Sequence, residues 1–292
     1  CNEPGLEVID ALRRHPRIEV FGAASVPIET DPSFAILGAG RRHELPYLGA
    51  PEFADELRAL CKELAIDFVF PAMDSVVAAL ANLEGGPRYI GPSAELAELC
   101  LSKSAVYERV GPTVPVPKPF SDGDSLPAFA KPDVGSGSRG ASIIDSEHGL
   151  QQARAAGLLV QELLPGAEYT VDCLGGGAAD LIACSPRERV SVVAGIARAA
   201  TCVVRHDLRA HCQFVQETLK LEGPWFAQFK DDADGVPRLM EVNARVGGSS
   251  GLSRMAGVNI PLMAVLQAQG VQLSEPRRLD GITLVRKLDR SG

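Results

Sequence analysis

The chain has 292 residues, 46% hydrophobic and 23% charged, an ordinary balance for a globular protein with a sizeable core. A formal net charge of −8 argues against a nucleic-acid partner, and no apolar run approaches the ~20 residues of a membrane span. Seven cysteines without a C-x-x-C pair, and no evident signal peptide, predict reduced thiols in a cytoplasmic protein.

Residues 5–14 read as a helix after a glycine turn, and 17–21 as a strand. A βα unit would place a strand before that helix, so a leading Rossmann-like domain, 1–91, is expected to lack its first strand. Strand 34–38, helix 51–65, strand 66–70, helix 74–83 and strand 88–91 follow. This alternation predicts an α/β domain with a parallel sheet.

From residue 92 to 292 the pattern changes. Ser93 is placed to cap a helix. A second helix, 102–110, stops at Gly111-Pro112, and a proline-rich extended loop follows to 127. Strands are expected at 128–131, 141–144 and 158–162, with a helix at 147–156 between Ser146 and Gly157. Strands 168–174, 180–184 and 192–204 suggest a mostly antiparallel second half. Helix 207–221 carries Leu208, Cys212, Val215 and Leu219 on one stripe, so Cys212 reads as core. A hairpin, then helices near 249–256 and 261–269, complete the chain.

The hairpin carries the chemistry. Its strands are 224–230 and 236–242. With Asp234-Gly235 as a two-residue type I′ turn, Ala233 faces Val236 and Gln228 faces Glu241. Strand alternation puts Asn243 on the same face. One carboxylate and two amides suit a hard cation that keeps water and takes phosphate ligands, as magnesium does. Arg245 is next on that face and can hold an anion. The plain alternative is a solvated strand face behind an Asp-Gly turn.

Residues 135–140 (GSGSRG) match G-x-G-x-x-G in form. The β-prone Ala141-Ser142-Ile143-Ile144 follows rather than a helix, so the glycines are expected at a hairpin tip that can lay amides over phosphates. Lys131 ends the preceding strand and can reach those phosphates; Lys103 begins a helix. The junction 158–169 offers backbone groups for a base and acids for ribose hydroxyls.

In this order the features resemble the ATP-grasp superfamily, nearest its carbamoyl-phosphate synthetase-like branch in short form. The resemblance implies a two-lobed α+β nucleotide domain after the leading α/β domain. It implies that Gln228, Glu241 and Asn243 hold magnesium, as two ions, or manganese. Arg245 and Lys131 would act in catalysis. Lys103, Lys131, Gly135, Ser136, Gly137 and Ser138 would meet the ATP phosphates. Gln161, Glu162, Leu163 and Leu164 would form the adenine hinge, and Glu168 would accept from the ribose.

The implied reaction activates a small carboxylate as an acyl phosphate for attack by an amine. Other readings are a carbamoyl-phosphate-forming enzyme, a nucleotide-binding module that no longer catalyses, and a dehydrogenase. A homodimer is left open. Three departures weaken bicarbonate as substrate. Ser102 stands where many relatives have Asp, Gly247-Gly248 replaces larger residues, and Ala197 replaces a His.

Overall fold

The computed structural model describes residues 3–27, 30–31, 36–38, 40–135, 137–193 and 195–285. In the leading segment, α1 (Glu3–Leu12) precedes β1 (Gly22–Ala24), β2 (Arg42–Glu44), α2 (Phe53–Glu63) and α3 (Asp74–Ala81). β1 and β2 pair in parallel, and Val69 and Tyr89 form one further parallel bridge. The expected direction is therefore present, but the strands are shorter than expected. The 17–21 strand gives way to a turn, with Ile18 N–H bonded to His15 O, and pairing starts at Gly22. The expected 34–38 strand lies partly outside the described residues, and 36–38 form no strand. Segments 66–70 and 88–91 share only the bonds Val69 N–H to Arg88 O and Ile90 N–H to Val69 O. An apolar run records burial; a strand also needs a partner for each backbone group.

Next come α4 (Ala94–Leu99) and α5 (Lys103–Val110). Ser93 occupies the expected cap position of α4 but its side chain makes no cap bond, whereas the Ser102 hydroxyl caps α5 by accepting from Ala105 N–H. A small lobe follows: β3 (Ala128–Lys131), β4 (Ser142–Ile144), α6 (Glu147–Ala155) and β5 (Leu159–Glu162). Its antiparallel sheet runs β4-β3-β5. Ala128, Ala130 and Ile144 of that sheet pack on Leu150 and Ala153 of α6, and Ser146 caps α6 through Gly149 N–H.

The larger lobe contains β6 (Glu168–Gly176), β7 (Leu181–Val193), β8 (Ile196–Cys202), α7 (His206–Leu219), β9 (Glu222–Asp231), β10 (Pro237–Asn243), α8 (Gly251–Met255), α9 (Ile260–Ala268) and β11 (Thr283–Val285). The sheet order is β10-β9-β6-β7-β8-β11, and every pair is antiparallel. The strand expected at 180–184 continues to Val193, because β7 keeps pairing with β8 as far as the Val193–Ile196 pair. β11 was not expected.

Helix α7 covers one sheet face. Its Leu208, Cys212, Val215 and Leu219 share a buried core with Val171, Cys173, Trp225, Ala227 and Phe229. Strand alternation then turns Asp172, Phe226, Gln228 and Arg187 to the opposite face. Val77 of α3 joins the α7 core, and Val8, Ile9 and Leu12 of α1 pack with Ile260 and Met263 of α9. The leading segment thus buries apolar surface against the larger lobe.

Candidate active site

The β9–β10 hairpin reaches the expected register at Gln228 and Glu241 by a different route. Near the turn the pairs are Asp231–Pro237, Lys230–Arg238 and Phe229–Leu239. The two-residue I′ turn and its Ala233–Val236 pair do not form. A longer loop forms instead: Gly235 N–H bonds to Asp232 O, and the Asp232 carboxylate accepts from the Asp234 and Val236 amides. This side-chain turn offers the backbone an alternative to the tight hairpin. The register is one residue off until a bulge at Met240 restores it, placing Glu241 opposite Gln228 and Asn243 opposite Phe226.

The bulge also frees a carbonyl. Met240 O accepts from Tyr107 O–H at 2.6 Å and from Lys131 Nζ at 3.1 Å, while Lys131 Nζ donates to Tyr107 Oη at 2.7 Å. Lys131 is 6% exposed. Burial lowers its pKa to about 8; Glu241 opposes that shift and Lys103 adds to it. Burial pushes the Tyr107 phenol far up, and the Glu241 and Asp133 charges add to this, so the hydroxyl keeps its proton.

Lys103 Nζ donates to Asp133 O and Gly135 O, both at 3.0 Å. The Asp133 carboxylate accepts from Ser102 Oγ and Ser104 N–H, both at 2.7 Å. Burial works against the Asp133 charge, but the Ser104 amide and the Ser102 hydroxyl hold its carboxyl below the usual range. The root of the glycine loop is thereby tied to α5. Ser102, standing in place of an Asp, serves as cap and tie. The loop joins β3 to antiparallel β4, so it is the hairpin tip expected. Gly135, Gly137 and Gly140 have positive φ, as does Ser138 at +57°. Ser136 lies outside the described residues.

The loop, both lysines and the β10 carboxylate border one cleft of about 280 Å³ between the lobes. Lys103, Lys131, Gly135, Gly137, Ser138, Gln161, Glu162, Leu163, Leu164, Glu168, Gln228 and Glu241 all line it. Gln161 is buried beside Met240, its Nε2 at 3.9 Å from Sδ. Glu162 is tied to Lys118: its amide donates to Lys118 O and its carboxylate accepts from Lys118 N–H. Glu168 forms an ion pair with Arg189 at 3.2 Å, so a ribose hydroxyl would share that carboxylate with a guanidinium.

Asn243 and Arg245 are outside the cleft wall. Asn243 is 8% exposed, and its Nδ2 has no partner. A buried amide N–H without a hydrogen bond costs about 1–3 kcal/mol, which an acceptor such as a phosphate oxygen would offset. Among the described residues no ion pair engages Glu241. The oxygen donors therefore fit a hard divalent cation with phosphate and water in its remaining positions. Arg245 is bound on two sides: its Nε and Nη2 each reach the Asp74 carboxylate at 2.8 Å, and its guanidinium lies 5.3 Å from the Phe226 ring centroid.

Some residues of the site were missed. Phe129, Ile143, Lys230 and Gly195 also line the cleft, as does Arg139 of the glycine loop. Phe129 is two residues before Lys131 on the same strand face and pairs across to Ile143 and Gln161. That alternation was available from Lys131 backwards. Tyr107 and Met240 depend on a bulge and a tertiary contact, for which the sequence carries no local mark.

Residues 154–290 match a family model described as ATP-grasp in the biosynthetic pathway with Ter operon. No curated protein matches the chain by sequence. Among solved structures, the chain is similar to N5-carboxyaminoimidazole synthetase from Staphylococcus aureus complexed with ADP, at 13% identity and a TM-score of 0.78, covering 98% of this chain and 80% of that one. It is also similar to biotin carboxylase from Campylobacter jejuni, at 17% identity and a TM-score of 0.75, covering 95% and 72%. The biotin carboxylase domain of Hydrogenobacter thermophilus 2-oxoglutarate carboxylase, in complex with MgADP and bicarbonate, gives 19% identity and a TM-score of 0.73, covering 95% and 70%. The fold is that of the ATP-grasp proteins. The carbamoyl-phosphate synthetase-like branch is not singled out by these matches.

Proposed function

We propose that this chain is an ATP-grasp carboxylate–amine ligase, with residues 1–91 as the leading domain and 92–292 as the nucleotide domain. The observation that carries this reading is the cleft: two lysines and a glycine loop on one wall, and Gln228 and Glu241 on the other. Phe129 and Ile143 give an apolar surface for a base, and the backbone at Glu162–Leu164 gives polar groups for its edge. Lys103, Lys131 and the loop amides would hold the phosphates. Gln228, Glu241 and Asn243 would hold the divalent cation, which when bound neutralises charge on the β- and γ-phosphates.

In the first step a substrate carboxylate attacks the γ-phosphorus, forming an acyl phosphate and releasing ADP. Two anions must approach each other there. Lys131 offsets that repulsion at the phosphates, and Arg245, two residues past the end of β10 and 5.3 Å from the Phe226 ring, offsets it at the carboxylate. An amine then attacks the acyl carbon and phosphate leaves. No side-chain nucleophile is required.

The likenesses with solved structures containing ADP or MgADP support nucleotide use. The test is an ATP-to-ADP screen over pairs of small acids and amines, with products identified by mass. A pair that yields ADP, phosphate and an amide in equal amounts is expected. Calorimetry that finds dinucleotide binding and no magnesium-ATP binding would remove the assignment.

A further inference from the structure

On the sheet face away from the cleft, three thiols meet. The Sγ atoms of Cys173 on β6, Cys184 on β7 and Cys212 on α7 lie within 4.8 Å of one another. All three residues are buried and none is in a disulfide. Cys173 and Cys212 are fully enclosed, whereas Cys184 retains 7% exposure. Cys184 also borders a second cavity, of about 260 Å³, together with Arg205, His206, Arg209, Glu275 and Arg278. Arg209 pairs with Glu275, and Arg278 with Asp280.

We propose that Cys184 is an oxidant-reactive thiol, reached through this cavity, that forms a disulfide with Cys173. The register supports that partner, because Cys173 and Cys184 are directly opposite in the β6–β7 ladder. Opposed residues in an antiparallel pair have Cα atoms about 4.5 or 5.5 Å apart. Both spacings fall inside the roughly 4.4–6.8 Å that disulfides span. Side-chain rotation then brings the sulfurs together without a change of register.

The electrostatics favour Cys184 as the attacking group. Its contacts with the Cys173 and Cys212 sulfurs lower the Cys184 pKa, burial opposes that shift, and the Arg209 and Arg278 guanidinium groups add to it, leaving the thiol below the ordinary value. Burial pushes Cys173 and Cys212 up. A thiol whose pKa is lowered, beside a partner directly opposite it in the ladder that can resolve it, is the arrangement of an oxidisable pair.

The oxidant is a hydroperoxide such as hydrogen peroxide. The Cys184 sulfur attacks one peroxide oxygen, the O–O bond breaks, and the leaving hydroxide takes the Cys184 proton as water as the sulfenic acid forms. The Cys173 sulfur then attacks the Cys184 sulfur, the S–O bond breaks, and the departing hydroxide takes the Cys173 proton as water. Two thiols lose two electrons and the peroxide is reduced to two waters. The link would fasten β6 to β7 behind the face that carries Glu168, Asp172 and Arg187.

The test uses the full chain treated with stoichiometric hydrogen peroxide, then denatured and alkylated. Two of the seven thiols should become resistant to alkylation, a reductant should restore them, and peptide mapping should join Cys173 to Cys184. The Cys184→Ala variant should keep its six remaining thiols. If that variant does not fold, the wild-type map decides alone. Seven free thiols after treatment, a disulfide between other cysteines, or Cys184 oxidised beyond sulfenic acid with Cys173 still free would each overturn the assignment.

Discussion

Arg245, two residues past the end of β10, and Asp74, in the first turn of α3, form a two-point ion pair, with both N···O distances at 2.8 Å. The carboxylate takes the Nε–Nη2 side of the guanidinium, and Val246 O accepts one Nη1 proton. One proton on each terminal nitrogen remains for a further anion. Asp74 thus fixes the plane of a cation that would otherwise rotate on a long side chain. Arg245→Ala should lower kcat by about 10²–10³ with little change in nucleotide affinity, as for loss of an anion clamp used in the transition state. Arg245→Lys should recover part of the rate, and Asp74→Ala should lower kcat less than Arg245→Ala does. Once a substrate pair is known, steady-state rates and ATP affinity are the measurements. An Arg245→Ala enzyme with wild-type kcat would place the carboxylate elsewhere.

Glu241→Gln should weaken magnesium-ATP binding and nearly abolish turnover while leaving the melting temperature close to wild type. The substitution removes the one formal negative charge of the proposed ligand set and keeps its shape. Glu241 is half-buried and unpaired by any cation among the described residues, so no ion pair is broken. Titration of magnesium against a fixed ATP concentration reads the effect. Full activity at saturating magnesium would move the metal away from this strand.

The glycine loop at a hairpin tip, the lysine before it and the Gln228–Glu241 pair could all be read from strand alternation and turn residues. The pair was read correctly from a turn that does not form. Asp232 builds a longer turn and the Met240 bulge restores the register, and neither shift can be seen in a pattern of period two. The leading segment was over-read for a related reason: 66–70 and 88–91 are strand-like runs that share only one bridge. The Tyr107–Lys131–Met240 contact spans 133 residues, so only the folded chain reveals it.

With Lys131 on the ATP phosphates as proposed, nucleotide binding should be sensitive to pH. Its folded pKa, lowered by burial to about 8, lies below the usual lysine value. The ammonium is therefore present below pH 8 and lost as pH rises through 8. Magnesium-ATP affinity should fall between pH 7 and 9. Near pH 8 binding should take up a proton, because the phosphates favour the charged amine. Calorimetry in buffers of different ionisation enthalpy measures that proton. Lys131→Arg should flatten the profile, since guanidinium does not titrate in this range. A wild-type affinity independent of pH across this range would show that Lys131 does not meet the phosphates.

Asp172 and Arg187 are 3% and 1% exposed at their side chains, and both are held by further hydrogen bonds. Arg187 Nε and Nη2 donate to the Asp172 carboxylate at 2.9 and 3.2 Å, Ser253 Oγ donates to it at 2.6 Å, and Arg187 Nη1 donates to Ser249 Oγ at 2.7 Å. Gly247 passes so close that an added Cβ would lie 2.7 Å from Asp172 Oδ1. Removing one partner of such a pair leaves a buried charge with no compensation, which typically costs about 3–5 kcal/mol. Asp172→Ala should therefore lower stability by roughly that amount. Removing both charges avoids the uncompensated state, so adding Arg187→Met to Asp172→Ala should recover part of the loss, a coupling read by a double-mutant cycle. Urea unfolding of the four proteins measures each step. An Asp172→Ala protein within about 1 kcal/mol of wild type, with no coupling to Arg187, would mean that water or movement of α8 already relieves the buried guanidinium.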